Sequence, residues 1–261
     1  MTEECMQRII AFLKFGERRY LERMQQGNLY FSNAQTLRAF EMQHAIKGQG
    51  DRLEGGTELI ANQIKLAKGD ASVLLPPMKN GAIPLYFEPA DLLPVFCVFA
   101  CFEKDSMEKE DGSIFIRLSH EIRENISSHF PKADTVAIIK EPERFVKDVR
   151  SSVGEGCISD LVKYYDLTGI QSEYGPVNSL DYFKYLMQDV PPLKKDGKIT
   201  YSFQSQYVFR SLLCKDVFFD KEQEYRFILT KKQIAEPREF PIRLSASIEL
   251  QDLSRFFTDM S

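Results

Sequence analysis

Hydrophobic and polar positions alternate most regularly in Asp216-Val-Phe-Phe-Asp-Lys-Glu-Gln-Glu-Tyr-Arg-Phe-Ile-Leu-Thr230. The stretch ends as a period-two run, which predicts a strand. Alternation places Glu222, Glu224, Arg226 and Ile228 on one face, and Gln223, Tyr225, Phe227 and Leu229 on the other. The second face is apolar and aromatic and should meet a core. The first sets two carboxylates and a guanidinium in a row, roughly 7 Å apart at each step. Such a row is either a solvated edge strand on which Arg226 screens the acids, or a site.

Other strands are predicted where the rhythm is short or continuous. Val95-Phe-Cys-Val-Phe-Ala-Cys-Phe102 is apolar throughout, as in a strand covered on both faces. Residues 28–32, 135–139, 161–167 and 237–244 also read as strands, the last at an edge. Residues 73–75 and 85–87 flank the turn signal Asn80-Gly81.

Helical spacing predicts the remaining elements. Thr2 can cap a short amphipathic helix, or one merging into a strand, with Cys5, Ile9, Ile10 and Leu13 on one side. A helix over 17–26 buries Tyr20, Leu21 and Met24 and stops at Gly27. Further helices are expected over 34–44, 57–68, 119–130, 179–188, 200–213 and 248–257, with another opening at Pro142. There is no regular βαβ rhythm and no linker. The expected fold is a single α+β domain over 1–261, with a mixed or mostly antiparallel sheet flanked by helices.

Composition narrows the class. With 261 residues, 43% hydrophobic and 28% charged, the chain can bury a sizeable core. A net charge of -4 gives no electrostatic signal for a nucleic-acid surface. No apolar run is long enough to span a membrane, and Met-Thr-Glu-Glu is acidic where a signal peptide would be basic. Five cysteines are scattered and odd in number, the two inside the 95–102 run read as buried thiols, and a cytoplasmic protein is expected. The three histidines lack ligand spacing, so no metal site is expected from them. Lys47-Gly-Gln-Gly-Asp-Arg-Leu-Glu-Gly-Gly56 lacks the Lys-Ser/Thr pair of a nucleotide-triphosphate loop. It reads instead as a loop near a site, contributing Asp51 or Glu54.

A late Glu-x-Glu strand following a Ser-containing segment is similar to the catalytic strand of mono-ADP-ribosyltransferases. The unit Phe15-Gly-Glu-Arg-Arg-Tyr-Leu-Glu-Arg-Met-Gln-Gln-Gly-Asn-Leu-Tyr-Phe-Ser32 looks like their opening. Joined to Gly50-Asp-Arg-Leu-Glu-Gly55 and Glu222-Gln-Glu-Tyr-Arg226, it resembles a broad, poorly characterised family of bacterial proteins, many associated with phage defence or toxicity. This resemblance implies an ADP-ribosyltransferase-like fold, NAD as cofactor, an unknown acceptor, and ADP-ribosyl transfer or NAD hydrolysis. Glu224 would stabilise the oxocarbenium ion as nicotinamide leaves, and Glu222 would orient or deprotonate the acceptor. Tyr30 would stack on nicotinamide, and Ser32 or Ser202 would hydrogen-bond the ribose. Lys14, Phe15 and Arg226 would complete the NAD-binding set. The chain departs from the pattern in carrying Lys14 where an Arg or His is usual, and Ser202-Phe-Gln-Ser205 in place of Ser-Thr-Ser.

Two other functions fit the same residues. Tyr30, Asp51, Glu222, Glu224 and Arg226 could form a structural or recognition cluster in a protein-binding or sensor module. Asp51, Glu54, Glu222 and Glu224 could serve a metal-dependent nuclease. A transferase requires both acids to face a cleft across from the 14–32 unit. A binding module has them neutralised by Arg226 and other cations, with no cleft beside them. A nuclease draws Asp51, Glu54 and Glu222 together within about 5 Å.

Overall fold

The computed structural model describes residues 8–44, 51–61, 65–68, 71–74, 76, 81–108, 114–167, 177–188, 193–195, 198–200 and 205–258. Thr2, Cys5, Gly50 and Ser202 lie outside them. The fold is α+β. Its framework is a six-stranded sheet in the order Cys157–Leu161, Glu224–Leu229, Val95–Phe102, Ile9–Gly16, Thr135–Ile139, Glu249–Asp252. Every neighbouring pair in it is antiparallel.

Both faces of the sheet are covered, which explains its apolar central strands. One face presents Phe12, Phe96, Val98, Phe227 and Leu229 to the helices Arg18–Gln25 and Pro142–Val153, which bury Leu21, Met24, Phe145 and Val149. The opposite face divides into two clusters. Leu13, Phe15 and Phe99 pack on the helix His120–His129 through Ile122 and Ile126. Val95 and Ile228 pack on Val208, Leu212 and Leu213 of the tight 3-10 helix Ser205–Leu213.

Several expected helices are strands. For the first stretch, read as a short helix or one merging into a strand, Ile9–Gly16 is the strand, because its apolar positions run on without the polar face that a helix of that length would carry. The described residues within 57–68 form strands instead: Gly56–Ala61 pairs with Gly81–Tyr86, and Lys65–Lys68 with Ala71–Leu74. Cross-strand pairing there overrides helical spacing. The strands that contain Val73 and Leu85 therefore take separate partners, and residue 75 lies outside the described residues. The helix expected over 248–257 is the edge strand Glu249–Asp252 followed by Leu253–Thr258, whose first turn is capped by the Asp252 carboxylate accepting from Ser254 N and Arg255 N. The strand expected over 161–167 is divided at Val162, whose N–H donates to Glu224 O at 2.9 Å. The helix expected over 200–213 is the strand Lys198–Thr200 and the 3-10 helix from Ser205.

Gly27 shows how closely the first helix stop is built. It adopts φ 90°, its N–H donates to Met24 O at 2.9 Å, and its carbonyl accepts from Ile242 N at 2.7 Å. A Cβ at this position would come within 2.3 Å of Ile242 O. Gly27→Ala is expected to cost about 2–4 kcal/mol, from left-handed backbone strain plus the backbone clash. Urea denaturation checks this; an unchanged midpoint would show that the segment at Ile242 can yield.

Candidate functional site

The focal strand begins at Glu224, two residues later than its alternation predicts. Glu222 ends a 3-10 helix, Val217–Glu222, and Gln223 takes left-handed angles of φ 40° and ψ 46°. A side chain other than glycine rarely adopts this conformation. Here Gln223 is fixed on both sides. Its carbonyl accepts from Ala100 N at 2.8 Å, and its amide donates to Ala100 O at 3.2 Å and Asp105 Oδ2 at 2.9 Å. The turn brings two carboxylates onto one ammonium: Lys215 Nζ donates to Glu222 Oε2 at 2.5 Å and to Glu224 Oε1 at 3.2 Å.

The strand is also interior to the sheet, so the edge-strand expectation fails: Cys157–Leu161 lies on one side and Val95–Phe102 on the other. Its charged face is covered as well. Arg226 is 1% exposed. Its Nε donates to Glu224 Oε2 at 2.6 Å, Nη2 to Glu54 Oε2 at 3.0 Å, and Nη1 to Leu212 O at 2.6 Å and to Glu54 Oε1. Such bidentate pairing suits a guanidinium and would not be reproduced by lysine. His129, at the end of its helix, completes the row with Nδ1 3.0 Å from Glu222 Oε1.

The cluster thus joins Glu54, Glu224 and Arg226, and through Lys215 it reaches Glu222 and His129. Asp51 enters through charge, its carboxylate feeling Glu54, Lys215 and Arg226. Its Oδ1 accepts from Leu53 N at 2.9 Å, while Oδ2 is buried without a hydrogen-bond partner. Burial first, then Glu54, raises the Asp51 carboxyl from 3.8 to about 7. Glu224 goes the opposite way. Burial alone would raise it, but Arg226 and Lys215 override that and hold it below the usual carboxylate range. Burial likewise opposes the charges on Lys215 and Arg226, yet their carboxylate partners keep both pKa values well above ordinary.

Other predicted site residues take separate places. Tyr30 is 59% exposed on the small sheet where Asn28–Phe31 pairs with Arg238–Pro241. Ser32 exchanges both backbone hydrogen bonds with Val95. Lys14 donates to Cys97 O at 2.8 Å and lies 5.5 Å from the centre of the Phe96 ring. Phe96 belongs to the core on the sheet face opposite Glu224. Lys14 and Phe15 do line a recess of about 50 Å³ together with Glu222 and Glu224. Sequence reasoning missed Lys215, His129 and Gln223. Only Lys215 left a trace, as a lone cation between the apolar runs Leu212-Leu-Cys214 and Val217-Phe-Phe219.

Comparison with protein-family models, curated proteins and solved structures gives no match. Among the described residues, no group of three His, Cys, Asp or Glu side chains is placed to hold a metal ion, and no helix is long and apolar enough to cross a membrane. The Cys97 thiol is pushed up to about 12, chiefly by burial and then by Glu224, so it is no ready nucleophile.

Two outcomes follow from the ion cluster. Arg226→Ala leaves Glu54 and Glu224 facing each other without their shared cation, and is expected to cost about 3–5 kcal/mol in a denaturant titration. Asp51 sets an unusual pH response. Its folded pKa lies above the unfolded value, so the native state holds the proton longer, and stability falls as pH rises from about 4 to about 7. Asp51→Asn should remove this fall and leave the protein more stable than wild type at pH 7.5. Melting temperatures of both proteins between pH 4.5 and 8 decide the point; parallel curves would refute it.

Proposed function

We propose that this chain is a non-enzymatic binding or sensor module, in which the ion cluster fixes a recognition surface and performs no bond cleavage. One observation carries the reading. All four oxygens of Glu222 and Glu224 are already engaged, by His129, Lys215 and Arg226. A carboxylate that stabilises an oxocarbenium ion must turn a free oxygen towards the ribose. Room is short as well: sites for small organic ligands enclose about 300–1,000 Å³, and the recess beside these acids holds about 50 Å³.

NAD-dependent ADP-ribosyl transfer or NAD hydrolysis is the second reading. It is favoured by the meeting of Lys14 and Phe15 with Glu222 and Glu224 around one recess, as the transferase resemblance requires. In that chemistry the bond between ribose and nicotinamide breaks, nicotinamide keeps the electron pair, and water or an acceptor nucleophile adds to the ribose. The metal-dependent nuclease draws no support from the placement of the acids.

Incubation of purified protein with NAD, wild type beside Glu224→Gln, tests the choice. The expected result is no nicotinamide release by either protein and no rise in melting temperature with NAD. Release by wild type that collapses in the variant would overturn the binding-module reading and establish the enzyme.

A further inference from the structure

The Asp51–Gly55 turn serves two parts of the molecule. Its Glu54 gives both carboxylate oxygens to Arg226, and Gly56 directly after it starts the strand that pairs with Gly81–Tyr86. The turn is pinned from outside. Arg38 donates to Glu54 O at 2.7 Å, the Tyr86 hydroxyl to Arg52 O at 3.0 Å, and Arg52 N donates to Glu41 Oε2 at 2.6 Å. Within it, Glu54 N donates to Asp51 O at 2.9 Å and Gly56 N to Leu53 O at 2.7 Å. Yet its first residue is left unsatisfied. Asp51 is 4% exposed; Oδ1 accepts from Leu53 N, and Oδ2 is buried with no hydrogen-bond partner.

The surrounding charges do not make up for this. Facing Asp51 are Glu54 of its own turn, Lys215 of the strand Cys214–Asp216, Arg226 of the focal strand, and the phenol of Tyr86. Arg38 stands beyond, 4.5 Å from the centre of the Tyr86 ring and paired with Asp91. Both cations that face Asp51 are already shared. Lys215 serves Glu222 and Glu224, and Arg226 serves Glu54 and Glu224. An ionised Asp51 is thus a fourth carboxylate for two permanent cations, with one buried oxygen that receives no donor. Such a charge costs far more than the neutral acid.

We propose that Asp51 is a proton-operated catch: the neutral acid keeps the turn docked, and loss of the proton frees the turn and the root of the ribbon begun at Gly56. This regulation acts through the ion cluster and so rests on the sensor reading. The docked turn holds a carboxylic acid. On opening, Asp51 meets water as a carboxylate, its proton passes to water, and Glu54 leaves Arg226 to Glu224 and Leu212 O. The sign follows from burial and Glu54, which hold the docked carboxyl at about 7 against an ordinary 3.8. Between those values opening releases a proton, so its equilibrium constant rises with pH, by about fiftyfold from pH 5 to pH 7. Above about 7 both forms are ionised, and the rise levels off.

Native-state hydrogen exchange between pH 5 and 8 is the direct test, each rate being divided by that of an unfolded peptide at the same pH. The amides of Leu53, Glu54 and Gly56 report the turn, and that of Ala100, bonded to Gln223 O, reports the sheet. The turn amides are expected to lose about fiftyfold in protection from pH 5 to pH 7. They should stay less protected than Ala100 and ignore about 1 M urea, because local opening exposes little surface. Asp51→Asn keeps the side chain neutral and should flatten the profile. If that variant folds poorly, the carboxyl carbon of wild-type Asp51, followed by NMR, serves instead, with a midpoint near 7 expected. A midpoint near 4 or flat turn protection in wild type overturns the proposal, as does an unaltered profile in a folded Asp51→Asn. So do turn amides that share the protection and urea response of Ala100, since the turn then opens only with the whole fold. Nicotinamide release, followed in the same preparations, separates the two failures. Its appearance overturns the sensor reading, whereas a flat profile without release overturns the catch alone.

Discussion

Arg226 is the constraint around which the charged half of the molecule is built. A guanidinium removed from water this completely persists only if its donors find anions and carbonyls in good geometry. Glu54 supplies a bidentate partner, Glu224 takes Nε, and Leu212 O takes another donor. These partners belong to three parts of the chain. Meeting the needs of one side chain therefore fixes the Asp51–Gly55 turn, the end of the Ser205–Leu213 helix and the focal strand against one another. Arg38 reinforces the same turn, donating to Glu54 O at 2.7 Å and pairing with Asp91.

The framework was legible where one face or both faces carried a clear pattern. Val95–Phe102, Thr135–Ile139, the helix stopping at Gly27 and the helix capped by Ser119 follow directly from apolar period, glycine and cap. Residues 57–61 were not legible as a strand, because their apolar positions fit a helix until Gly81–Tyr86 is known to lie alongside. The acids of the candidate site are visible as a group, and the glycine-rich stretch around Asp51 and Glu54 marks a loop near them. Their true geometry depends on Gln223, whose left-handed backbone is unusual for its residue type and leaves no mark on a period-two pattern. Lys215 and His129 reach the acids from elsewhere in the fold, and such contacts cannot be read from spacing.

The resulting site has two layers with different physics. Deep in the fold, strong ion pairs oppose a large cost of burial, and the unpaired Asp51 oxygen shows that this balance is incomplete. Nearer the surface, Lys14, Asn125 and the rings of Phe15, Phe99 and Phe130 line a small recess beside the same two acids. The first layer gives the second its charge and its rigidity.

Glu54 and Arg226 stand 172 positions apart in the chain. A contact of that span closes a long loop, and its entropic cost falls due before the pairing returns anything. The antiparallel framework can form around nearer neighbours, such as Cys157–Leu161 with Glu224–Leu229, before the Asp51–Gly55 turn docks. The ion cluster then acts as a late latch, slowing the departure of the turn more than it speeds the assembly of the sheet.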